Sequence, residues 1–396
     1  MKKIKNAVIL AGGLGTRLKP FTDNNPKPMY PIDNIPFIER LVYQLKEFGI
    51  EKIVILLGYK AEIIKNYLGN GEKYNISIIY DITPVEYNTM ERLNHSKELL
   101  DDDFILLYSD NYCPIDFENL VNNYYSHNAY IELSLYTNKD NYTKSNILLD
   151  ENNLVLNYDY KHEKTNLSGV EIGYSIVNKK IFDLIDAKDK EYSKDLFPKL
   201  IKEKKLYATP TEHRYYSIGS FDRMHLTEEF FKEKKVAFLD RDGTLNVKPK
   251  KACYVETKDQ FKWIDGSIEA VKMLKEHGYI TILVTNQPGI AKGILTEENL
   301  NEIHKKMQKD LEQHGAKIDK IYYCKHNWDE GCFCRKPNPG LLYQAQKDLS
   351  LDLTKCILFG DDQRDIEAAN RARCKSILIS DNYKLIDAVK DYLKEE

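Results

Sequence analysis

Short apolar runs recur along the chain and alternate with stretches whose apolar residues fall at helical spacing. In the first half, residues 7–10, 53–57, 76–80 and 104–107 are such runs, each bounded by polar residues or glycine. Continuous short runs predict strands buried on both faces. Residues 37–48 and 61–68 place apolar side chains three and four apart, which predicts amphipathic helices. The second half repeats the pattern, with predicted strands at 236–239, 280–284 and 357–359. Strand and helix in alternation predict an α/β fold with mainly parallel sheets. A charged stretch without Gly or Pro, LTEEFFKEKK from residue 226, separates the halves and predicts a short helical linker. The expected organisation is therefore two Rossmann-like α/β domains in tandem, at 1–225 and 235–396, joined through 226–234.

Open α/β sheets bind ligands at the C-terminal tips of their strands, so the residues that end each run carry the chemistry. Residues 236–239 stop at Asp240-Arg241-Asp242-Gly243-Thr244. Two carboxylates with one residue between them suit a division of labour. Asp240 can attack phosphorus and hold a cation, and Asp242 can move protons on the leaving group. Alone, this stretch reads equally well as a solvated Asp-Gly turn. Residues 7–10 flow into Ala11-Gly12-Gly13-Leu14-Gly15-Thr16-Arg17. A glycine-rich loop after a strand lets backbone N–H groups close around phosphates. No Gly-Lys-Ser/Thr follows, and the glycine spacing is not that of a dinucleotide fingerprint. Arg17, and Lys27 within Asn25-Pro26-Lys27-Pro28-Met29, flank the loop with cations suited to a triphosphate and its departing pyrophosphate.

The pair GGLGTR and NPKPM resembles the sugar-1-phosphate nucleotidyltransferases over roughly residues 4–225, with mannose- and heptose-1-phosphate guanylyltransferases most similar. The resemblance implies that Ala11, Gly12, Gly13, Gly15 and Thr16 hold the nucleotide with Arg17 and Lys27. It implies that Asp110, at the tip of the 104–107 run, binds magnesium, and that Lys161 and Gly173 contact the sugar phosphate. The chain departs from the family pattern at Ser109 (usually Gly), Asn88-Thr89-Met90-Glu91 (usually a Gly-Thr-Ala-Gly-like loop), Tyr160 (usually Glu), Glu171 and Ser217 (a second metal Asp). Two explanations follow: an active site adapted to an unusual acceptor, or a half reduced to binding.

Three further elements accompany Asp240. Residues 280–284 end in Thr285-Asn286-Gln287, Arg335-Lys336-Pro337 supplies a cation before a helix, and 357–359 ends in Gly360-Asp361-Asp362 with Asp365 one turn on. This ordered set resembles the haloacid dehalogenase-type phosphatases over residues 235–383. The resemblance implies Asp240 as nucleophile and Asp242 as acid and base. Thr285 and Lys336 would bind the phosphoryl group, Asn286, Gln287 and Arg335 the substrate. Asp240, Asp361 and the backbone carbonyl of Asp242 would hold magnesium. An anionic nucleophile meeting an anionic ester needs such cations.

Cys324, His326, Cys332 and Cys334 give four soft ligands within eleven residues, which fits structural tetrahedral zinc. The other cysteines, Cys113, Cys253, Cys356 and Cys374, are expected in the core. With the zinc loop, the second half resembles heptose 1,7-bisphosphate phosphatases and their sister histidinol-phosphate phosphatases. Pro288, Lys292 and Asp362 stand where the heptose enzymes usually carry Ser, Arg and Lys.

A net charge of −3 over 396 residues gives no footprint for nucleic acid or anionic membrane, and no apolar run reaches spanning length. A cytoplasmic enzyme with small-molecule partners, a sugar phosphate and a nucleoside triphosphate, is expected; a homo-oligomer is left open. A 7-phosphatase would release heptose 1-phosphate, which a guanylyltransferase would consume, so the fusion implies consecutive steps toward a GDP-heptose for surface polysaccharide. The expected cofactors are magnesium at both sites and structural zinc. Alternatives are a different small phosphorylated acceptor with CTP, or a phosphatase with a regulatory nucleotide-binding half.

Overall fold

The computed structural model describes residues 3–250 and 253–395. The chain divides into two compact units, residues 1–231 and 232–396.

The first unit is built on a seven-stranded sheet. Its strands are β1 (Asn6–Ala11), β2 (Lys52–Leu57), β3 (Ser77–Ile82), β4 (Asp103–Tyr108), β5 (Ile131–Tyr136), β6 (Val170–Asn178) and β7 (Leu206–Thr211), in the order β7-β5-β6-β4-β1-β2-β3. β1 pairs in parallel with β2 and β4, with Ala7 opposite both Ile53 and Ile105. β6 runs antiparallel to both its neighbours, so the sheet is mixed. Because β1 and β4 are adjacent and parallel, the glycine loop after β1 and Asp110 after β4 emerge side by side, which is the placement the apolar runs predict. Helix α1 (Phe37–Phe48) buries Phe37, Leu41, Val42 and Leu45 against one face of the sheet. It ends at Gly49, whose φ of +94° closes the helix without a Cβ clash. Helix α2 (Ala61–Leu68) covers the same side, and α3 (Thr89–His95) the other through Met90 and Leu93. A capping box starts α3: the Asn88 backbone N–H donates to Glu91 Oε2 at 2.8 Å.

Of the stretch expected to link the halves, residues 226–231 are helical and belong to the first unit, and residues 232–234 belong to the second. Helix α4 (Phe221–Phe231) buries Met224, Thr227 and Phe230, and Phe230 stacks on Tyr216 at 3.8 Å between ring centroids. The aromatic residues inside the charged stretch decide its place: burying Phe230 outweighs what exposing the charged residues around it requires of a free linker.

The second unit has a five-stranded parallel sheet: β8 (Val236–Leu239), β9 (Ile280–Asn286), β10 (Lys320–Cys324), β11 (Ile357–Gly360) and β12 (Lys375–Leu378), in the order β10-β9-β8-β11-β12. β8 is central, and Ala237 faces Thr281 on one side and Ile357 on the other. Phe238 and Phe359 are fully buried, so the three tips are held at one level. Helices α5 (Ser267–Glu276), α6 (Glu297–Gln313), α7 (Gly340–Leu349), α8 (Gln363–Arg371) and α9 (Leu385–Glu395) supply the remaining layers. Cys113, Cys356 and Cys374 are buried as expected, but Cys253 is exposed, because it lies in a loop rather than on a strand or helix. Among the described residues no helix is long and apolar enough to cross a membrane.

Candidate active sites

In the second unit, β8 delivers Asp240 to the crevice between β9 and β11, where its N–H donates to Phe359 O at 3.0 Å. Lys336 Nζ lies 2.6 Å from Asp240 Oδ1 and 2.5 Å from Asp365 Oδ1, and donates to Val284 O at 2.9 Å. All three charged groups are buried, at 7%, 4% and 2% exposure. Burial pushes the Asp240 carboxyl up to about 7; Lys336 opposes this, while Asp365 and Asp242 add to it. Burial works against the Lys336 ammonium, yet the two carboxylates hold it above the ordinary lysine range. Asp365, one turn into α8, has no role in the motif reading. In the structure it is the second anchor of Lys336, and its Oδ2 accepts the Asp362 N–H at 3.1 Å.

Asp242 faces away from this cluster. Arg241 Nη2 donates to its Oδ2 at 2.9 Å, Asn246 Nδ2 to Oδ1 at 3.0 Å and Gln287 Nε2 to Oδ2 at 2.9 Å. Burial raises the Asp242 carboxyl, but Arg241 and these amides hold it below the usual carboxylate range. Gln287 Nε2 also lies 3.0 Å from Thr285 Oγ1, so one side chain sets both the proton-handling carboxylate and the hydroxyl at the β9 tip. Asn286 Oδ1 accepts the Lys336 N–H at 3.1 Å and its Nδ2 donates to Lys336 O at 3.0 Å, so it braces Lys336. Arg335 Nη1 donates to His326 O at 3.4 Å, within the Cys and His loop.

Asp240, Asp361 and Asp365 bring ligand oxygens within 4.8 Å of one another. Among the described residues Asp361 Oδ1 is buried with no partner, and Lys248 donates to Oδ2 at 2.5 Å. A cβ at Gly243 would meet Asp361 at 2.3 Å, so only glycine leaves that carboxylate its place. An orphaned carboxylate oxygen beside a buried aspartate fits a hard cation such as magnesium. The Asp242 side chain is turned to Arg241, which leaves only its backbone for that role.

The four soft ligands converge. Sγ–Sγ separations among Cys324, Cys332 and Cys334 are 3.6, 3.2 and 3.6 Å, and His326 Nδ1 lies 3.6 Å from Cys324 and 3.2 Å from Cys334. Tetrahedral zinc with about 2.3 Å bonds to sulfur requires edges of about 3.7 Å. The donor set fits zinc with no position left for water.

In the first unit, a cleft of about 600 Å³ opens at the tips of β1 and β4. Ala11, Gly12, Gly13, Gly15, Thr16, Arg17, Lys27, Ser109 and Asp110 all line it, with Val85, Tyr87 and Asn88 at another wall. Lys27 Nζ pairs with Asp110 Oδ2. One carboxylate plus nucleotide phosphates is a donor set that suits magnesium. Ser217 pairs with Asn111 in a two-residue ladder, and its Oγ accepts the Gly219 N–H at 2.9 Å. Two residues implied as sugar contacts lie off this lining. Lys161 is exposed and does not line the cleft, because Asp159 folds its turn on itself: Oδ2 accepts the Lys164 N–H at 2.7 Å. Gly173, at φ +78°, lies against the Tyr108 ring, where a Cβ would come within 2.8 Å; the ring lines the cleft, the glycine does not. The motif reading missed Arg92, which lines the cleft at 3% exposure.

A family model described as nucleotidyl transferase matches residues 6–271, and one described as polynucleotide kinase 3 phosphatase matches residues 235–384. The D-glycero-beta-D-manno-heptose-1,7-bisphosphate 7-phosphatase of Pasteurella multocida is 43% identical over 152 residues, covering 37% of this chain and 81% of the relative. The enzyme of that name from Photorhabdus laumondii is 45% identical over 143 residues, covering 34% and 74%. A putative glucose-1-phosphate thymidylyltransferase from Bacillus anthracis shares the fold of the first unit, with a TM-score of 0.51 and 20% identity over 57% of this chain and 94% of that one.

Proposed function

Since the chain belongs to the nucleotidyl transferase family and continues into a phosphatase related to the heptose-1,7-bisphosphate 7-phosphatases, we propose that it catalyses two consecutive steps on one sugar. It is a bifunctional nucleotidyltransferase and phosphatase. The second unit removes the 7-phosphate of D-glycero-D-manno-heptose 1,7-bisphosphate. The first transfers a nucleotidyl group, GMP from GTP, to the heptose 1-phosphate left behind, toward surface polysaccharide. The fusion carries this reading: a histidinol phosphatase has no use for a nucleotidyltransferase, whereas a heptose 1-phosphate is an acceptor for one.

In the phosphatase reaction, Asp240 Oδ attacks phosphorus and the P–O bond to the sugar breaks, leaving an aspartyl-phosphate. Lys336 and Thr285 neutralise and orient the transferring group. Asp240 and Asp361 would hold magnesium, which supplies charge neutralisation at the phosphoryl oxygens. Asp242 then takes a proton from the water that cleaves the acyl-phosphate, the task its present ionised state suits. Giving a proton to the leaving oxygen requires its carboxyl to exchange Arg241 for substrate. In the first unit, the loop amides, Arg17 and Lys27 bind the triphosphate, and the acceptor phosphate attacks the α-phosphorus to expel pyrophosphate; Asp110 would hold magnesium there.

A second reading keeps both activities but changes the acceptor to another small phosphorylated compound with CTP; the outward position of Lys161 favours it. Paired assays with magnesium separate the two: phosphate release from heptose 1,7-bisphosphate, and pyrophosphate release from each nucleoside triphosphate with the product. Asp240→Asn abolishes the first and spares the second, and Arg17→Ala does the reverse. One substitution silencing both reactions in a folded chain refutes the two-site reading.

A further inference from the structure

Arg92 sits in α3 with its guanidinium between two glycines. A Cβ at Gly12 would meet its Cζ and Nε at 2.5 Å, and a Cβ at Gly58 its Nη1 at 2.6 Å and Nη2 at 2.7 Å. Nη2 donates to Gly12 O at 3.2 Å, in the glycine loop, and to Val85 O at 3.1 Å. Nη1 donates to Leu57 O at 2.8 Å, at the end of β2, and to Thr83 Oγ1. All four acceptors are neutral. A buried guanidinium held by neutral oxygens is costly to keep, and burial lowers its proton affinity. Its planar fork nevertheless fits this geometry in a way a lysine cannot, because its donors reach separate chain segments at once.

Two of those segments line the cleft, the glycine loop at Gly12 and the stretch at Val85. Gly12 begins the loop that faces the phosphates. Val85 and Tyr87, each 37% exposed, give an apolar and aromatic wall suited to the flat face of a base. We propose that Arg92 is a positioning residue that clamps the base wall, residues 83–87, onto the phosphate loop, and so sets which nucleobase the first unit accepts. This rests on the nucleotidyltransferase reading of that unit. A loosened wall still admits a triphosphate, but it no longer holds base and phosphates at one fixed separation, so bases are distinguished less well.

The test is calorimetric binding of GTP, ATP, CTP and UTP, each with magnesium, to the full chain. Arg92→Met is expected to weaken the best-bound nucleotide about tenfold and to shrink the ratio of best to worst by a similar factor. Thr83→Val removes one acceptor of the same guanidinium from a position outside the cleft lining, so it should shrink the ratio likewise, and it carries the test if Arg92→Met does not fold. Arg92→Lys keeps the charge without the fork; it should retain more affinity than Arg92→Met yet still lose discrimination. Folded variants that keep the parent's base ratio, or a lysine that restores it, overturn the clamp. A parent chain that binds none of the four nucleotides overturns the nucleotidyltransferase reading and the clamp with it, and its silence distinguishes that case from failure of the clamp alone.

Discussion

Removing zinc should disable the phosphatase by loosening the segment that leads into Lys336. The perturbation is Cys332→Ser, or stripping the metal with a chelator selective for zinc over magnesium. The three thiols and His326 lie at near-tetrahedral spacing, so one zinc ion held there would close the loop from Cys324 to Cys334. Cross-linking a loop of this length restricts the open chain by about 3 kcal/mol, which corresponds to about a hundredfold in the closed population. That figure is an upper bound, because other contacts remain: Asn338 Nδ2 donates to Cys332 O at 2.9 Å, the Gly340 N–H to Phe333 O at 3.1 Å, and Phe333 stacks on Tyr343. A fall of ten- to a hundredfold in phosphatase kcat/KM is therefore expected, with nucleotidyl transfer unchanged. Elemental analysis should find one zinc per chain, and the activity should return when zinc is restored. A purified chain without zinc, or a zinc-free chain at full phosphatase activity, refutes the reasoning.

Asp365→Ala removes one of the two carboxylates on Lys336 and the acceptor for the Asp362 N–H. Breaking a buried pair costs about 3–5 kcal/mol; because Asp240 still holds Lys336, denaturation of the second unit should report about 3 kcal/mol, with phosphatase activity strongly reduced. Glu171 gives a pH-dependent outcome. Burial raises its carboxyl from 4.5 to about 7, the Gly173 N–H opposes this, and Asp110 adds to it. The folded state then binds the proton more tightly than the unfolded one, so its contribution is most favourable below pH 4.5 and is lost as pH rises to about 7. Glu171→Gln should match the parent in acid and exceed it by up to about 3 kcal/mol above neutrality, read from the melting of the first unit across pH. A difference that does not change with pH refutes this.

What could be read directly from the sequence was whatever depends on local pattern. Continuous apolar runs predict strands because a strand buried on both faces leaves no polar position, and the residue after the run then stands at the tip. Asp240, Thr285, Asp361 and Asp110 were legible for that reason, and so was the Cys and His cluster, whose ligands lie close in the chain. That the start of the helical linker packs into the first unit was harder to read, because its charges outnumber its aromatics, although Phe230 and Phe231 together signal that one face is buried. Lys161 matched a motif, but its direction depends on Asp159 closing a turn, which spacing alone does not fix.

The residues whose roles escaped the motif reading share one property: each acts through partners distant in sequence. Asp365 matters because Lys336 reaches it across the sheet, and Asn286 because its amide grips the backbone of Lys336, fifty residues later. Arg92 contacts Gly12, Leu57, Thr83 and Val85. Its trace in the sequence is indirect, in the glycines at 12 and 58: Gly12 reads as part of a phosphate loop and Gly58 carries no reading, and the guanidinium fills the space beside both. Motif residues face the ligand, and their chemistry names them. Residues that hold those motifs at working separation are named only by geometry, and in this chain they are the ones whose substitution should change selectivity and pH response while the reaction type stays the same.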